Sequence, residues 1–155
     1  MQNLKRPILL VEDDSVDAMA VRRALKDIKV TNGLTHVTNG EEALEYLRGQ
    51  DSKMPCIILL DLNMPKMNGI EFLKIVKADE ELKKIPVVVL TTSGEERDKI
   101  ESFKLSVAGY IVKPTDYKKF VEAVRTIDLY WTLSELVEEE EEAYNAKLEE
   151  ANTAC

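Results

Sequence analysis

Short apolar runs alternate along the chain with segments in which apolar residues recur every three or four positions. Five of the runs have the length of strands, and the continuous apolar run Cys56–Leu60 suits a strand buried on both faces of a parallel sheet. The longer segments between them have the period of amphipathic helices. This alternation predicts a doubly wound α/β fold with helices on both faces of one sheet. The five predicted strands are Pro7–Glu12, Leu34–Val37, Cys56–Leu60, Val87–Thr92 and Gly109–Lys113.

The expected helix boundaries follow from capping residues and turn residues between the strands. Asp14 or Ser15 is expected to cap the first helix, and Thr115 or Asp116 the last. We expect the fourth helix to end near Lys104. The apolar stripe predicted for the first helix comprises Val16, Met19, Ala20, Arg23, Ala24 and Leu25.

Length and composition indicate one globular domain with a sizeable core. The chain has 155 residues, of which 45% are hydrophobic and 32% charged. No apolar run approaches the roughly 20 residues that a membrane-spanning helix needs, and acids interrupt the first apolar run too early for a secretory signal. The two cysteines, Cys56 in a predicted core strand and Cys155 at the terminus, are poor disulfide partners. We therefore expect a reducing, cytoplasmic location.

The acidity of the chain is concentrated at its C-terminal end. Ser134–Cys155 contains eight acids and one base, a net charge of −7, which leaves −1 for residues 1–133. This balance argues against binding to nucleic acid or to an anionic membrane.

Polar residues stand where four predicted strands end. Glu12 and Asp13 end the first strand, Asp61 the third, Thr91 the fourth and Lys113 the fifth. The carboxyl ends of parallel strands meet at one edge of the sheet, so these side chains should share a crevice. Three carboxylates there would repel one another unless a cation lay among them or some stayed protonated, and all-oxygen ligands suit Mg²⁺. Judged from its own stretch alone, Asp61 is equally well explained as a cap of its strand or of the next helix.

Four motifs, in order and at plausible spacings, resemble the receiver domain of two-component response regulators. They are VEDD at Val11–Asp14, LLDLNMPKMNG at Leu59–Gly69, VVVLTTS at Val87–Ser93 and YIVKP at Tyr110–Pro114. The resemblance covers about Leu4–Leu129. It implies a flavodoxin-like fold with the parallel strand order 2-1-3-4-5.

The resemblance also implies how the metal and the phosphoryl group are held. Asp61 would accept a phosphoryl group from a phosphohistidine of a sensor histidine kinase. Glu12, Asp13 and Asp61 would hold Mg²⁺, together with the backbone carbonyl of Asn63. The metal would offset the negative charge that accumulates as phosphorus approaches a carboxylate.

The remaining roles that the resemblance implies concern the fourth and fifth strands. Thr91 would hydrogen-bond the phosphoryl group, and Lys113 would neutralise one of its oxygens, aimed by a cis peptide bond to Pro114. Tyr110 would move inward with Thr91 and couple the site to the surface beside the fifth strand.

Receivers paired with phytochrome-type sensor kinases are the most similar group in motif detail. The similarity lies in LDLNMPKMNG, in IPVVVLTTS and in the aromatic pair Tyr130-Trp131 that ends the last helix. Residues 130–155 are expected to form an acidic helical extension, too short for a DNA-binding or enzymatic output domain. The output of the protein would require contact with a downstream protein. The extended last helix is expected to pack against a second copy, forming a homodimer, or against a partner, through its apolar residues Leu129, Trp131, Leu133, Leu136 and Val137.

Two other functions compete with a phosphoryl-accepting receiver that turns over no separate substrate. A constitutive scaffold would have no need of mutually repelling acids. A haloacid-dehalogenase-like phosphatase expects a second acid two residues after its nucleophile, where Asn63 stands. His36, the only histidine, is interpreted as a structural residue of the second strand rather than a ligand.

Overall fold

Five parallel strands form a single sheet in the order β2-β1-β3-β4-β5. The computed structural model describes residues 6–49, 54–62, 64, 67–91, 100–101, 104–112 and 117–126. Both the number of strands and their order confirm the doubly wound fold predicted above. The strands are β1 Ile8–Val11, β2 Leu34–Val37, β3 Ile57–Asp61, β4 Val87–Thr91 and β5 Gly109–Val112.

Three complete helices connect the first four strands, and each has a side-chain cap at its first turn. Asp14, Asn39 and Asn68 accept hydrogen bonds from backbone N–H groups that have no partner within the helix. Residues 100–101 and 117–126 are also helical. The helices are α1 Ser15–Asp27, α2 Gly40–Arg48 and α3 Gly69–Ala78, followed by a short 3-10 turn, Leu82–Lys84.

Alternate side chains of each central strand enter two separate apolar layers, as the two-residue period of a strand requires. Leu9 and Ile58 face the layer formed by α2 and α3, which contains Phe72. Leu10 and Leu59 face the opposite layer, formed by α1 and the helical segment 117–126. Because helices cover both faces, β1 and β3 are fully buried.

The buried face of α1 differs from the predicted stripe. Its buried residues are Ala18, Val21, Ala24 and Leu25, whereas the side chains of Val16 and Met19 are 71% and 68% exposed. The helix carries two overlapping stripes of helical period, and the sequence alone does not show which of them faces the sheet. In the structure, the stripe formed by Ala18, Val21, Ala24 and Leu25 faces the sheet, and Arg23 stays on the solvent side.

A lysine in left-handed conformation ends α1. Lys29 has a φ of 62°, and the N–H of the next residue, Val30, donates to the carbonyl of Leu25 at 3.0 Å. The same arrangement ends the helix that contains Ile100, with Lys104 at a φ of 54°. These are Schellman motifs, in which glycine is the usual residue at the left-handed position. The fourth helix therefore ends where the sequence predicted.

Several predictions about the C-terminal part fall outside the described residues. They include the domain boundary between Leu129 and Tyr130, the extended last helix and Cys155. Within the described ranges, Cys56 is a buried free thiol, and no helix is both long enough and apolar enough to cross a membrane.

Candidate functional site

Three carboxylates converge where β1 and β3 end. The register pairs Val11 with Leu60, so the next residues, Glu12 and Asp61, lie at the same level. Glu12 is the first residue after β1, and Asp61 is the last residue of β3. One carboxylate oxygen from each of Glu12, Asp13 and Asp61 lies within 4.8 Å of the others. The structure thus brings together the three acids that the sequence predicted to share a crevice.

The burial of these acids makes their proximity costly. Glu12 is 0% exposed and Asp61 4%, whereas Asp13 is exposed. Two unit charges 4.8 Å apart repel by about 3 kcal/mol at an effective dielectric constant near 20. A divalent cation among the three carboxylates would attract each of them and so offset this repulsion. The oxygen-only donor set fits a hard ion such as Mg²⁺, and the exposed Asp13 leaves a side open to water ligands, which Mg²⁺ retains.

Asp13 and Asp14 are neighbours with different tasks. The Oδ1 atom of Asp14 accepts from the N–H groups of Val16 at 2.8 Å and of Asp17 at 3.1 Å, so its carboxylate caps α1. Asp13 belongs to the acidic cluster instead. The chain passes directly from the cluster into α1, which carries the exposed Val16 and Met19.

The main chain of Glu12 is held by β2 through both of its polar groups. Its N–H donates to the carbonyl of Val37 at 3.0 Å, and its carbonyl oxygen lies 2.7 Å from Nε2 of His36. A backbone carbonyl can only accept, so Nε2 carries the proton in this contact. His36 is not part of the acidic cluster of Glu12, Asp13 and Asp61, and its role as a structural residue remains a prediction.

The loop after Asp61 is closed at its base. The N–H of Gly69 donates to the carbonyl of Leu62 at 3.1 Å. A Cβ atom at Gly69 would lie 2.6 Å from Cα of Leu62 and 2.7 Å from the carbonyl oxygen of Asp61. No side chain fits there, so glycine is required for α3 to begin directly against the end of β3.

The other predicted site residues are only partly described. Thr91 is the last residue of β4 and lies one position beyond the level of Asp61, but its side chain is outside the described residues. Asn63, Lys113 and the peptide bond to Pro114 are also outside them, so the roles expected of these groups remain predictions. Tyr110, on β5, is half-buried and packs against the apolar layer of α2 and α3; its inward movement remains a prediction.

Comparison with known families agrees with the fold and the acidic cluster. Residues 8–125 match the response regulator receiver domain. This match spans most of the chain, and the chain belongs to that family.

Two curated relatives cover most of their own length in the alignment. The probable methanogenesis regulatory protein FilR2 of Methanothrix harundinacea is 39% identical over 127 residues, covering 80% of this chain and 82% of FilR2. The response regulator Rcp1 of Synechocystis is 40% identical over 133 residues, covering 83% of this chain and 90% of Rcp1.

Solved structures of phytochrome response regulators are similar to the whole receiver fold. The phosphorylated cyanobacterial regulator RcpA has a TM-score of 0.74 at 39% identity, covering 83% of this chain and 94% of RcpA. The Mn²⁺-bound form of Rcp1 gives 0.72 at 40% identity, covering 81% and 94%. The bacteriophytochrome regulator RtBRR gives 0.70 at 43% identity, covering 78% and 76%. The resemblance to phytochrome-associated regulators is thereby confirmed.

Proposed function

We propose that this receiver accepts a phosphoryl group on Asp61 from a sensor histidine kinase, with Mg²⁺ bound, and signals by contact with a downstream protein. The observation that carries the proposal is the acidic cluster, in which the buried Asp61 lies with Glu12 and Asp13 at the carboxyl edge of the sheet. Support comes from RcpA, which was solved in a phosphorylated form, and from Rcp1, which was solved with Mn²⁺.

The proposed transfer is a displacement at phosphorus. An oxygen of Asp61 forms a bond to phosphorus while the bond from phosphorus to the donor's histidine nitrogen breaks, and the electron pair returns to that nitrogen. A bound Mg²⁺ would supply positive charge against the charge that builds up on the phosphoryl oxygens. Glu12, Asp13 and Asp61 would hold it, with the carbonyl of Asn63 as a further ligand.

Thr91 and Lys113 are proposed to bind the transferred group. In the transfer, the Thr91 hydroxyl would donate a hydrogen bond to a phosphoryl oxygen, and the Lys113 ammonium would neutralise another. Both proposals rest on the family resemblance together with the position of Thr91 at the end of β4. Phosphoryl acceptance and loss on Asp61 would be the whole of the chemistry, with no turnover of a separate substrate.

The first turns of α1 offer a surface for the kinase. Val16 and Met19 are large apolar side chains that are mostly exposed, and they lie in the first turns of the helix that begins two residues after Asp13. Apolar side chains beside a reactive group are typical of a protein contact surface. We propose a phytochrome-type kinase as the donor because Rcp1, RcpA and RtBRR are similar over most of this chain.

The direct test is phosphorylation by a small donor, followed by intact mass. Wild-type protein incubated with acetyl phosphate and Mg²⁺ should gain the mass of one phosphoryl group, and Asp61→Asn should gain none. Glu45→Gln, which changes an exposed acid on α2, is the matched control and should behave as wild type. A wild-type protein that stays unmodified would overturn the proposal and favour the constitutive scaffold.

The partner proposals need separate measurements. Transfer from a phosphorylated phytochrome kinase should be faster than transfer from unrelated histidine kinases, and equal rates would count against the pairing.

A homodimer through the last helix and its extension should dissociate into monomers when residues 130–155 are removed, as measured by light scattering. An unchanged number of chains per particle, with and without phosphoryl donor, would exclude that dimer. A cytoplasmic location is part of the same proposal and is tested by fractionation.

A further inference from the structure

We propose that His36 is a positioning residue for the acidic cluster, acting through the backbone of Glu12. This inference rests on the metal site of the proposed function and goes beyond it, because it assigns a role to a side chain outside the cluster. Its basis is the contact of 2.7 Å between Nε2 of His36 and the carbonyl oxygen of Glu12.

The contact lies at the point where regular strand pairing ends. The ladder between β1 and β2 runs from Ile8 opposite Leu34 to Val11 opposite Val37. Glu12 is the first residue beyond it, and the chain must turn there toward Asp13 and α1. The His36 side chain, two residues before the level of Glu12, reaches forward and bonds the carbonyl that follows the last strand residue.

Restraint at this peptide matters because two cluster members flank it. The Glu12 carbonyl belongs to the peptide group that joins Glu12 to Asp13, and both carboxylates enter the cluster with Asp61. Like charges at this separation push their backbones apart. The N–H of Glu12 lies in the preceding peptide group and is bonded to Val37, whereas the carbonyl of the Glu12–Asp13 peptide is bonded to His36. The peptide groups on both sides of Glu12 are thus held from β2, and His36 is the contact that acts on the one between the two acids.

The role needs a donor at the Nε2 position and does not need imidazole chemistry. The carbonyl accepts, so the ring must present N–H at that atom. Glutamine places an amide N–H₂ group at a similar reach, whereas leucine fills similar space without a donor. His36→Gln and His36→Leu therefore separate the hydrogen bond from the packing.

The test is Mn²⁺ binding by the full-length protein, read from the signal of free Mn²⁺ in electron paramagnetic resonance. His36→Leu should bind Mn²⁺ about tenfold more weakly, the lower end of what loss of an outer-shell hydrogen bond costs. His36→Gln should stay within about threefold of wild type, by the same reasoning. Leu34→Ala, which removes half-buried apolar contacts two residues away on the same face of β2, should lower the melting temperature but leave Mn²⁺ affinity unchanged.

A second readout distinguishes positioning from general damage. At saturating Mg²⁺, His36→Leu should reach wild-type phosphorylation by acetyl phosphate, with only the Mg²⁺ concentration for half-maximal rate increased. Equal Mn²⁺ affinity in wild type and His36→Leu would overturn the inference alone, as would equal weakening in the leucine and glutamine variants. A wild-type protein that binds no Mn²⁺ would instead overturn the metal site of the proposed function, and this inference with it.

Discussion

The two edges of the sheet are built on opposite principles. At the amino edge, neutral backbone bonds tie the strands to the chain beside them, such as Ile8 N–H to the carbonyl of Gly33 at 2.8 Å and Ala108 N–H to the carbonyl of Val87 at 2.8 Å. At the carboxyl edge, two buried carboxylates lie beside an exposed one. The middle and the amino edge of the sheet therefore stabilise the fold, whereas the carboxyl edge collects carboxylates whose mutual repulsion opposes folding and which are suited to binding a cation.

The largest expected effect is at the carboxyl edge. Asp61→Asn should abolish phosphoryl acceptance and, in the presence of a chelator, should stabilise the protein because it removes one of three repelling charges. For a chain of this size, each 1 kcal/mol of stabilisation raises the melting temperature by about 2–4 °C, which calorimetry measures. A lower melting temperature in chelator would contradict the view that this edge opposes folding.

The middle of the sheet should respond in the opposite way. Leu10 is fully buried, so Leu10→Ala should cost about 3 kcal/mol through lost burial and the cavity left behind. Urea denaturation measures this loss. Below its melting temperature, the variant should still accept a phosphoryl group from acetyl phosphate; failure to do so while folded would show that the two regions are not separable.

Kinase recognition should depend on the carboxyl edge alone. The double change Val16→Ser and Met19→Ser should slow transfer from the cognate kinase about tenfold, since about 1.4 kcal/mol of apolar burial would be lost. Phosphorylation by acetyl phosphate should be unchanged. Met54→Ser, at another exposed apolar residue but near the amino edge, is the matched control; equal slowing in both variants would contradict a specific surface on α1.

A smaller gain in stability is expected where α1 ends near the amino edge. Lys29 occupies a left-handed conformation that costs a residue with a Cβ about 1–2 kcal/mol. Lys29→Gly removes that strain but adds freedom to the unfolded chain, so we expect a net stabilisation of about 0.5 kcal/mol. Chemical denaturation measures it, with Lys26→Gly, inside the helix, as the control that should destabilise.

The smallest effect should appear only with pH. Backbone N–H groups of Leu82 and Glu81 bond Asp79 at 3.1 and 2.9 Å and hold the pKa of its carboxyl below its usual value. Because the pKa is lower in the folded state, the ionised carboxylate contributes stability at pH values above its unfolded pKa near 4. This contribution is lost as the pH falls through the folded pKa. The stability difference between wild type and Asp79→Ala should therefore shrink from pH 7 to pH 3, and a constant difference would exclude this linkage.

The sequence predicted the sheet and the cluster because both follow from local pattern. Continuous apolar runs mark buried strands, and a polar residue that ends such a run must lie at the carboxyl edge of a parallel sheet. The order of the residues along the chain is therefore enough to place Glu12, Asp13 and Asp61 together. Their roles in phosphoryl transfer came from the family resemblance.

Other features depend on tertiary contacts that no local pattern encodes. The predicted rotation of α1, which would bury Val16 and Met19, was wrong because two stripes of the same period overlap. The contact of His36 with Glu12 joins residues 24 positions apart and depends on the strand register. The left-handed Lys29 carries none of the glycine signal that usually marks such a helix end.

The hydrogen bond from the Gly69 N–H to the Leu62 carbonyl has a consequence for how the sequences of receivers diverge. Leu62 and Gly69 are bonded to each other where the chain leaves β3 and enters α3, so substitutions between Leu62 and the cap residue Asn68 need not move the carboxylate of Asp61. Under the proposed function, such substitutions would change how long an acyl phosphate persists while leaving the chemistry that forms it intact. One inherited scaffold would then serve as a fast relay in one lineage and as a slow timer in another.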